Sequence, residues 1–370
     1  MPPLRTMAAG ALRKGIGVGY GAMHDLGVYR CGAPPVMFVT EGANWTIHFI
    51  GKGYADGIEA VHPGTIGLTH RPYKLFDRIV HFGSQFFWRL WAESLSPSNR
   101  AVVTFFHGKH EDGPEMSQNI DYFLSNLGRL ERVVTAASLV ERRLLQWGVP
   151  REKLVRVPLG VDTSLFYPPG EEQRRAMRTR LGVPDGAVCV GSFQKDGGGW
   201  AEGMEPKLIK GPDLFVKAVA RLARDFPVFV VLTGPARGYV KHGLEKHGIP
   251  YRHVFYDDYH EIVAGYHALD LYLVTSREEG GPQALLESMA CGVPLVSARV
   301  GMAEDVISDG VNGALVDVGD VDAIVGRGAA LLSDSALASS WRTAGRAVAE
   351  RHDWSKVALQ LYEKVYKELL

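Results

Sequence analysis

Short apolar runs alternate with segments of helical periodicity along most of this chain. VMFVT (36–40) reads as a buried strand, EGAN (41–44) as a turn, and WTIHFIGKGYADGIEA (45–60) as a helix capped by Asn44. Further strands are predicted at 65–69, 78–82, 101–106 and 132–136, with helices at 84–95 and 138–148 between them, and 153–160 closes the series. Residues 161–186 break the rhythm with Pro, Gly and charge, as a linker or domain edge would. Strands then resume at 187–193, 227–234, 253–256, 270–276 and 293–298, around a helix at 212–225. The end is helical: 321–334, 337–352 and 354–370. Apolar strands alternating with helices predict parallel sheets covered on both faces. Two α/β halves of similar size result, with a ligand expected in a crevice at the carboxyl ends of the strands.

Residues 1–35 fit this pattern poorly. Gly17, Gly19 and Ala22 are a loose match to the dinucleotide fingerprint, but LRKGI makes a poor strand in front of it. The segment therefore reads as flexible or peripheral. No uncharged stretch approaches the ~20 residues of a membrane helix, and no signal peptide is read.

Composition narrows the function classes. With 41 basic and 41 acidic residues the net charge is zero, which argues against a nucleic-acid binder. Cys31, Cys189 and Cys291 are three and widely spaced, so neither a disulfide framework nor a zinc site is expected, and a reducing cytoplasm fits.

The chemistry concentrates in SREEGGPQALLESMACGVP (276–294). Gly280 and Gly281 let a backbone approach a ligand, and Pro282 suits a first helical turn. The free N–H groups of that helix start favour a phosphate or sugar oxygen. Glu287 falls roughly 7–8 Å along the helix, about the span from a phosphate to its ribose. Its carboxylate suits a vicinal diol, and Glu279 would reach the other way, toward a sugar. Taken singly, Glu287 also reads as a helix-face charge and Glu279 as a complement to the helix dipole. Asp320-Val-Asp322 is a literal D-x-D, but its place before a helix makes it a dipole complement rather than a metal site. Asp257-Asp258 reads as a loop near a base pocket. Residues 71–92 mix aromatics with Arg and Lys; they read as a strand plus a buried helix, the alternative being a peripheral membrane patch.

The Glu279–Glu287 spacing followed by SMACGVPLVS resembles the signature of glycosyltransferase family 4, whose members are retaining enzymes of the GT-B fold. VRVPLGVDTSLFYP (155–168), KLIKGPDLFVKAVARL (207–222), 299–325 and the helix from Trp354 resemble other parts of that family in order. The resemblance covers about 130–370 well and 36–130 loosely. It implies an α/β GT-B fold: two Rossmann-like parallel-sheet domains facing across a crevice, with a C-terminal helix crossing back. Their expected bounds are 1–165 (acceptor side), 166–352 (nucleotide-sugar side) and 353–370 (crossover helix).

By position the resemblance gives Glu279 the donor sugar, Glu287 the ribose, and Gly280, Gly281 and Pro282 the sugar and phosphate. Lys210 falls on the family's diphosphate lysine. The companion Arg falls near Ser192 and is missing; Lys195, at the head of the extra segment 195–207, is the nearest substitute, and it reads equally as a solvated loop charge. His107 is placed against the donor sugar and Gly42 at the diphosphate, where the family's Gly-Gly loop is reduced to one Gly. The implied donor is a UDP- or GDP-linked sugar and the acceptor a glycan, lipid-linked or small molecule. Neither a metal nor another cofactor is expected, since lysines and a helix dipole can stabilise the leaving diphosphate. Two alternatives stand beside this: a catalytically inactive nucleotide-sugar binder or partner subunit, and a related GT-B enzyme such as a pyridoxal-dependent phosphorylase or an epimerase.

Overall fold

The computed structural model describes residues 4–42, 46–256 and 258–370, with side chains from Leu12 onward. The chain forms two compact units, Met1–Gly160 with Trp354–Leu370, and Val161–Asp353.

The first unit is built on a six-stranded sheet of order β2-β1-β3-β4-β5-β6. Its strands are β1 (Val36–Val39), β2 (Ile66–Thr69), β3 (Ile79–Phe82), β4 (Arg100–Thr104), β5 (Leu130–Thr135) and β6 (Leu154–Arg156). Every pairing is parallel. β1 and β3 are buried throughout, which is why they read as unbroken apolar runs. The helices are α1 (Leu4–Asp25), α2 (Thr46–Glu59), α3 (Gln85–Trp91), α4 (Pro114–Ser125) and α5 (Ser138–Gln146). α3 starts where Ser84 accepts from Phe86 N–H, and it is shorter than the 84–95 expected because residues 92–94 tighten into a 3-10 turn. The predicted cap Asn44 lies outside the described residues.

α1 corrects the reading of residues 1–35 as unpatterned. Gly15, Gly17, Gly19 and Gly21 each lower helix propensity by about 1 kcal/mol relative to Ala, which hid the helix. Packing overrides propensity here: Arg13 lies over the Trp91 ring, and Gly17 meets the Ser94 carbonyl. Gly17 and Gly19 thus sit inside a helix, not at a dinucleotide-binding turn.

The second unit starts at Val161, which bridges to Asp353, rather than at 166. Phe166 is buried against Tyr259 and Tyr266 and belongs with it. Inside the expected linker lies α6 (Glu171–Leu181). It is polar enough to read as a loop, yet Glu171 and Glu172 open it, Arg178 and Arg180 close it, and Gly182 ends it at φ +73°. Next come β7 (Val188–Phe193), α7 (Pro212–Leu222), β8 (Val228–Thr233), α8 (Gly238–Lys246), β9 (Tyr251–Val254), α9 (Val263–His267) and β10 (Leu271–Val274). The rest are α10 (Gln283–Ala290), β11 (Leu295–Ala298), α11 (Ala303–Val306), β12 (Ala314–Val316), α12 (Val321–Ser333) and α13 (Ser335–Arg351). The sheet is again parallel, in the order β12-β11-β10-β7-β8-β9. β10, which leads into the 276–294 segment, sits centrally, and Leu271 and Leu273 pack against Phe215, Val219 and Leu222 of α7.

The chain closes with α14 (Trp354–Leu361) and a π turn over 362–366, both in the first unit. Gly53, Gly57 and Gly160 leave the slot that Trp354 fills; a Cβ at Gly53 or Gly160 would run into the indole. Farther on, the buried His81 is hydrogen-bonded to Tyr366 Oη through Nδ1 at 2.5 Å and to Thr104 Oγ1 through Nε2 at 2.8 Å, one ring nitrogen donating and the other accepting.

Candidate nucleotide-sugar site

The segment after β10 is held by the turn that carries Lys210. Leu208–Lys210 form a 3-10 turn that ends at Gly211, φ +65°. A Cβ on Gly211 would collide with the Thr275 carbonyl, so glycine is required both by its backbone and by this approach. Thr275 Oγ1 donates to Gly211 O at 2.9 Å, and Arg277 N–H donates to Ile209 O at 2.8 Å. Arg277 also grips Asp213 through two 2.8 Å contacts. Two stretches of sequence 69 residues apart therefore meet with fixed register.

At their junction Lys210 Nζ donates to both oxygens of Glu279, each at 2.7 Å, and Ser276 Oγ donates to Oε1 at 2.8 Å. Glu279 is 8% exposed. The two residues assigned separately to diphosphate and sugar are thus a nearly buried ion pair, and each neutralises the other. Beyond Glu279, Gly280 is buried and Gly281 and Pro282 are half-buried. Pro282 occupies the cap of α10 rather than its first helical position, and no side chain caps the helix. Leu285 N–H donates to Pro282 O at 3.1 Å, and the positive end of the helix dipole lies at this start.

Glu287 is 3% exposed, one turn inside α10. Tyr266 Oη donates to Oε2 at 2.6 Å, and Tyr259 Oη donates to Oε1. Burial pushes the Glu287 carboxyl above its usual range, and the two hydroxyls pull it back in part. Neither tyrosine was read from the sequence; both lie in the stretch between β9 and β10 that carried no recognisable element.

The missing arginine has a structural sequel. Arg237 is fully buried at the Ser192 position. It donates to Ser192 O and Thr233 O, both at 2.7 Å, and to Ser192 Oγ at 3.2 Å, with Nε 2.9 Å from Asp196 Oδ1. Burial pushes the Asp196 carboxyl up and the Arg237 guanidinium down, while their mutual attraction opposes both shifts. Asp196 O in turn accepts Lys207 N–H at 2.8 Å, so this pair pins both ends of the extra segment. Arg237 is spent on the protein. Lys195 is turned onto the Trp200 ring, 3.6 Å from its centroid. Lys207 was not singled out from sequence. Loss of hydration, then the charges of Lys195 and Lys210, hold it below the ordinary lysine range, which places three cations within electrostatic reach of one another.

In the first unit, His107 and Gly42 follow β4 and β1 at carboxyl ends of the sheet. Gln85 pins the His107 loop, donating to His107 O at 2.8 Å and accepting Phe106 N–H at 3.1 Å. Gly42 is exposed, and a Cβ there would stand 3.8 Å from the His70 ring, an ordinary contact. Asp320 caps α12 by accepting Ala323 N–H, and Asp322 pairs with Arg221. Asp257 lies outside the described residues, and Asp258 caps the 3-10 turn 259–262. Within 71–92, Trp88 is buried but Phe86 and Leu90 face solvent. A cavity of ≈ 490 Å³ lies at the opposite end of α10, lined by Pro168, Arg174, Cys291, Arg342 and Arg346, away from Lys210 and Glu279.

Residues 205–348 match the family of glycosyl transferases group 1. The matched region is a glycosyltransferase domain. It lies wholly within the second unit and contains Lys207, Lys210, Glu279 and Glu287. A GDP-mannose-dependent alpha-(1-6)-phosphatidylinositol monomannoside mannosyltransferase of Mycolicibacterium smegmatis is 31% identical, over 67% of this chain and 65% of its own length. A D-inositol 3-phosphate glycosyltransferase of Xylanimonas cellulosilytica is 29% identical, over 59% and 52%. The chain therefore spans about half to two thirds of these two relatives. Among solved structures, Anabaena HepE in complex with UDP and glucose superposes with a TM-score of 0.73 at 17% identity, covering 90% of this chain and 99% of HepE. Sucrose-phosphate synthase from Thermosynechococcus elongatus gives 0.71 at 16%, covering 91% and 99%. Two six-stranded parallel sheets flanked by helices, matched to these neighbours, make the fold around the glycosyltransferase domain GT-B.

Proposed function

We propose that this protein is a retaining glycosyltransferase of family 4. It moves a sugar from a UDP- or GDP-linked donor to a glycan, lipid-linked or small-molecule acceptor in cell-surface polysaccharide or glycoconjugate synthesis, at the cytoplasmic face of the membrane. The arrangement that carries this reading is the Lys210–Glu279 pair, 2.7 Å apart, beside Gly280-Gly281-Pro282 at the uncapped start of α10. Relatives that use GDP-mannose or act on inositol phosphate, and neighbours holding UDP and glucose, support the same donor class.

On this reading the donor diphosphate lies at the α10 N-terminus, facing Lys210, Lys207 and Lys195. As the anomeric bond breaks, negative charge grows on the diphosphate and positive character on the sugar. The lysines and the helix end stabilise the first, and Glu279 the second. The acceptor hydroxyl attacks from the side the phosphate leaves, giving up its proton to that phosphate oxygen, so configuration is retained. Glu287, one helical turn inward, takes the ribose hydroxyls once Tyr259 and Tyr266 share its oxygens with them.

The test is release of nucleoside diphosphate from UDP-glucose and GDP-mannose, with and without a phosphoinositide acceptor, with EDTA as a further arm. Acceptor-dependent release that survives EDTA is expected. Binding of the donors with no release under any acceptor would instead assign the chain as a nucleotide-sugar binder.

A further inference from the structure

The cavity at the carboxyl end of α10 is lined by cations. α13 presents Arg342 and Arg346 to it, four residues apart and so on one face of the helix, and α6 presents Arg174. Like charges at that helical spacing repel. Loss of hydration holds Arg174 below the usual arginine range; Asp270 opposes that shift, while Arg178 and then Arg342 add to it. Arg174 and Arg342 thus lie within electrostatic reach of each other.

These charges are only partly answered within the protein. Arg346 donates through Nε to Glu350 at 2.8 Å, and through one terminal nitrogen to Phe166 O and Ala290 O at 2.7 and 2.9 Å. Arg174 donates to Asp270 at 2.6 Å, but Asp270 also takes Arg178 at 3.0 Å. One carboxylate therefore serves two guanidinium groups. Arg342 is exposed and has neither an ion pair nor a hydrogen bond among the described residues. Glu171 and Glu172, the acids nearest Arg174 in sequence, are exposed at the start of α6 and line no part of the cavity. Four arginines thus stand against Asp270 and Glu350, an excess of two positive charges in a chain of zero net charge.

The rest of the lining narrows the anion that fits. Pro168, Pro169 and Val293 make apolar walls, whereas Thr343 and Glu350 offer a hydroxyl and a carboxylate on the helix that carries Arg342. A volume of ≈ 490 Å³ is that of a small-molecule site and far exceeds an inorganic phosphate. A phosphate monoester carries nearly two negative charges at neutral pH, which matches the excess, and guanidinium groups suit its oxygens. A hydroxylated body would donate its O–H groups to Glu350 and Thr343. α10 is about 12 Å long, so a ligand beyond its last turn sits apart from Lys210 and Glu279 at the other end.

We propose that this cavity is a second ligand site that takes a phosphorylated sugar or polyol, its phosphate between Arg342 and Arg174 and its hydroxyls on Glu350 and Thr343. The site is built from the second unit alone and does not depend on the transferase reading.

The full-length chain is titrated by calorimetry with glucose 6-phosphate, beside glucose and inorganic phosphate. The wild type should bind glucose 6-phosphate, bind phosphate at least about tenfold more weakly, and give no heat with glucose. Arg342→Glu should weaken glucose 6-phosphate at least about tenfold, because a charge-assisted hydrogen bond is lost and a repulsion added. Ala347→Glu should do the same by placing a carboxylate on the cavity wall. Both variants should melt near the wild-type midpoint, since both positions are exposed. Lys210→Met, at the far end of α10, should bind glucose 6-phosphate as the wild type does. No binding by the wild type overturns the proposal, as does undiminished binding by Arg342→Glu. Loss in Lys210→Met with Arg342→Glu unaffected overturns it by assigning the ligand to the donor site. Phosphate or glucose bound as tightly as glucose 6-phosphate also overturns it, leaving an adventitious ion or a site for neutral sugar. UDP is titrated in the same samples: its failure to bind the wild type counts against the transferase reading and leaves this site standing.

Discussion

Replacing Glu279 with Gln should tighten binding of a nucleoside diphosphate while slowing sugar transfer. Lys210 Nζ sits 2.7 Å from both Glu279 oxygens, so the cation meant for the diphosphate is already engaged. Lys210 keeps 26% of its side-chain exposure and Glu279 11%, which keeps the pair from full burial and calls for the low end of the range. A hydrogen bond to a charged group contributes about 1.5–3 kcal/mol, and the lower figure applies. A phosphate oxygen drawn to Lys210 also meets the Glu279 carboxylate, a like charge at similar range, which at ordinary protein dielectric adds a repulsion of the same order. Glu279→Gln removes the repulsion but its amide oxygen still accepts from Lys210, so only part of the first cost is relieved, while the side chain and its bond to Ser276 are kept. The net gain should be about 1–2 kcal/mol, or roughly 5- to 30-fold in the dissociation constant. Titration calorimetry with UDP and GDP at low and moderate salt measures it, and the gain should shrink with salt. Turnover should fall in the same variant, because the developing positive charge on the sugar loses its partner. Unchanged or weaker nucleotide binding would refute the claim that Lys210 leaves Glu279 for phosphate.

The other expectations concern groups buried around this site and in the first unit. Glu287→Gln keeps the shape against Tyr259 and Tyr266 but removes a desolvated charge. It should raise stability at neutral pH by about 1 kcal/mol while weakening nucleotide binding about tenfold, checked by denaturant melts and calorimetry. Arg237→Met leaves Asp196 buried and unpaired and should cost about 3–5 kcal/mol; Arg237→Met with Asp196→Leu should recover much of it, which a double-mutant cycle would show. His81 is held neutral by burial, its value lowered to about 3, well below its value in the unfolded chain. Between that unfolded value, near 6.5, and about 3 the unfolded chain binds the extra proton. This contribution to stability is therefore complete above ~6.5 and is lost at up to about 1.4 kcal/mol per unit as pH falls. His81→Gln should flatten that slope in denaturant titrations from about pH 7 to about pH 5. His107→Ala should slow transfer about tenfold or more without altering nucleotide affinity, as measured by initial rates beside calorimetry.

What the sequence made legible follows from burial. VMFVT, AVVTFF and PVFVVLTG announce central parallel strands because both of their faces are covered, and an unbroken apolar run of that length between turn residues fits little else. β12 escaped notice because three residues, Ala314–Val316, are too few to make a pattern. α6 escaped because only Leu181 is buried and the rest resembles a linker, although its acidic start, basic end and terminal glycine were readable signals. α1 escaped because its glycines argue against a helix and its apolar side faces outward. At the candidate site, the residue types and their order were visible from Lys210 to Glu287. Their pairing was not. That Lys210 rests on Glu279, that Glu287 rests on two tyrosines and that Arg237 is held by Ser192, Thr233 and Asp196 are facts of tertiary geometry that spacing does not encode.

The central claim is that the second unit holds a nucleotide-diphosphate sugar. A thermal melt against UDP-, GDP-, ADP- and CDP-sugars tests it most directly. A true donor at about a hundred times its dissociation constant stabilises the folded state by about 2.7 kcal/mol, which for a unit of this size raises the midpoint by roughly 5–10 °C. One base should give that shift, and Glu287→Ala should reduce it. A flat response to all four in the wild-type protein would contradict the account.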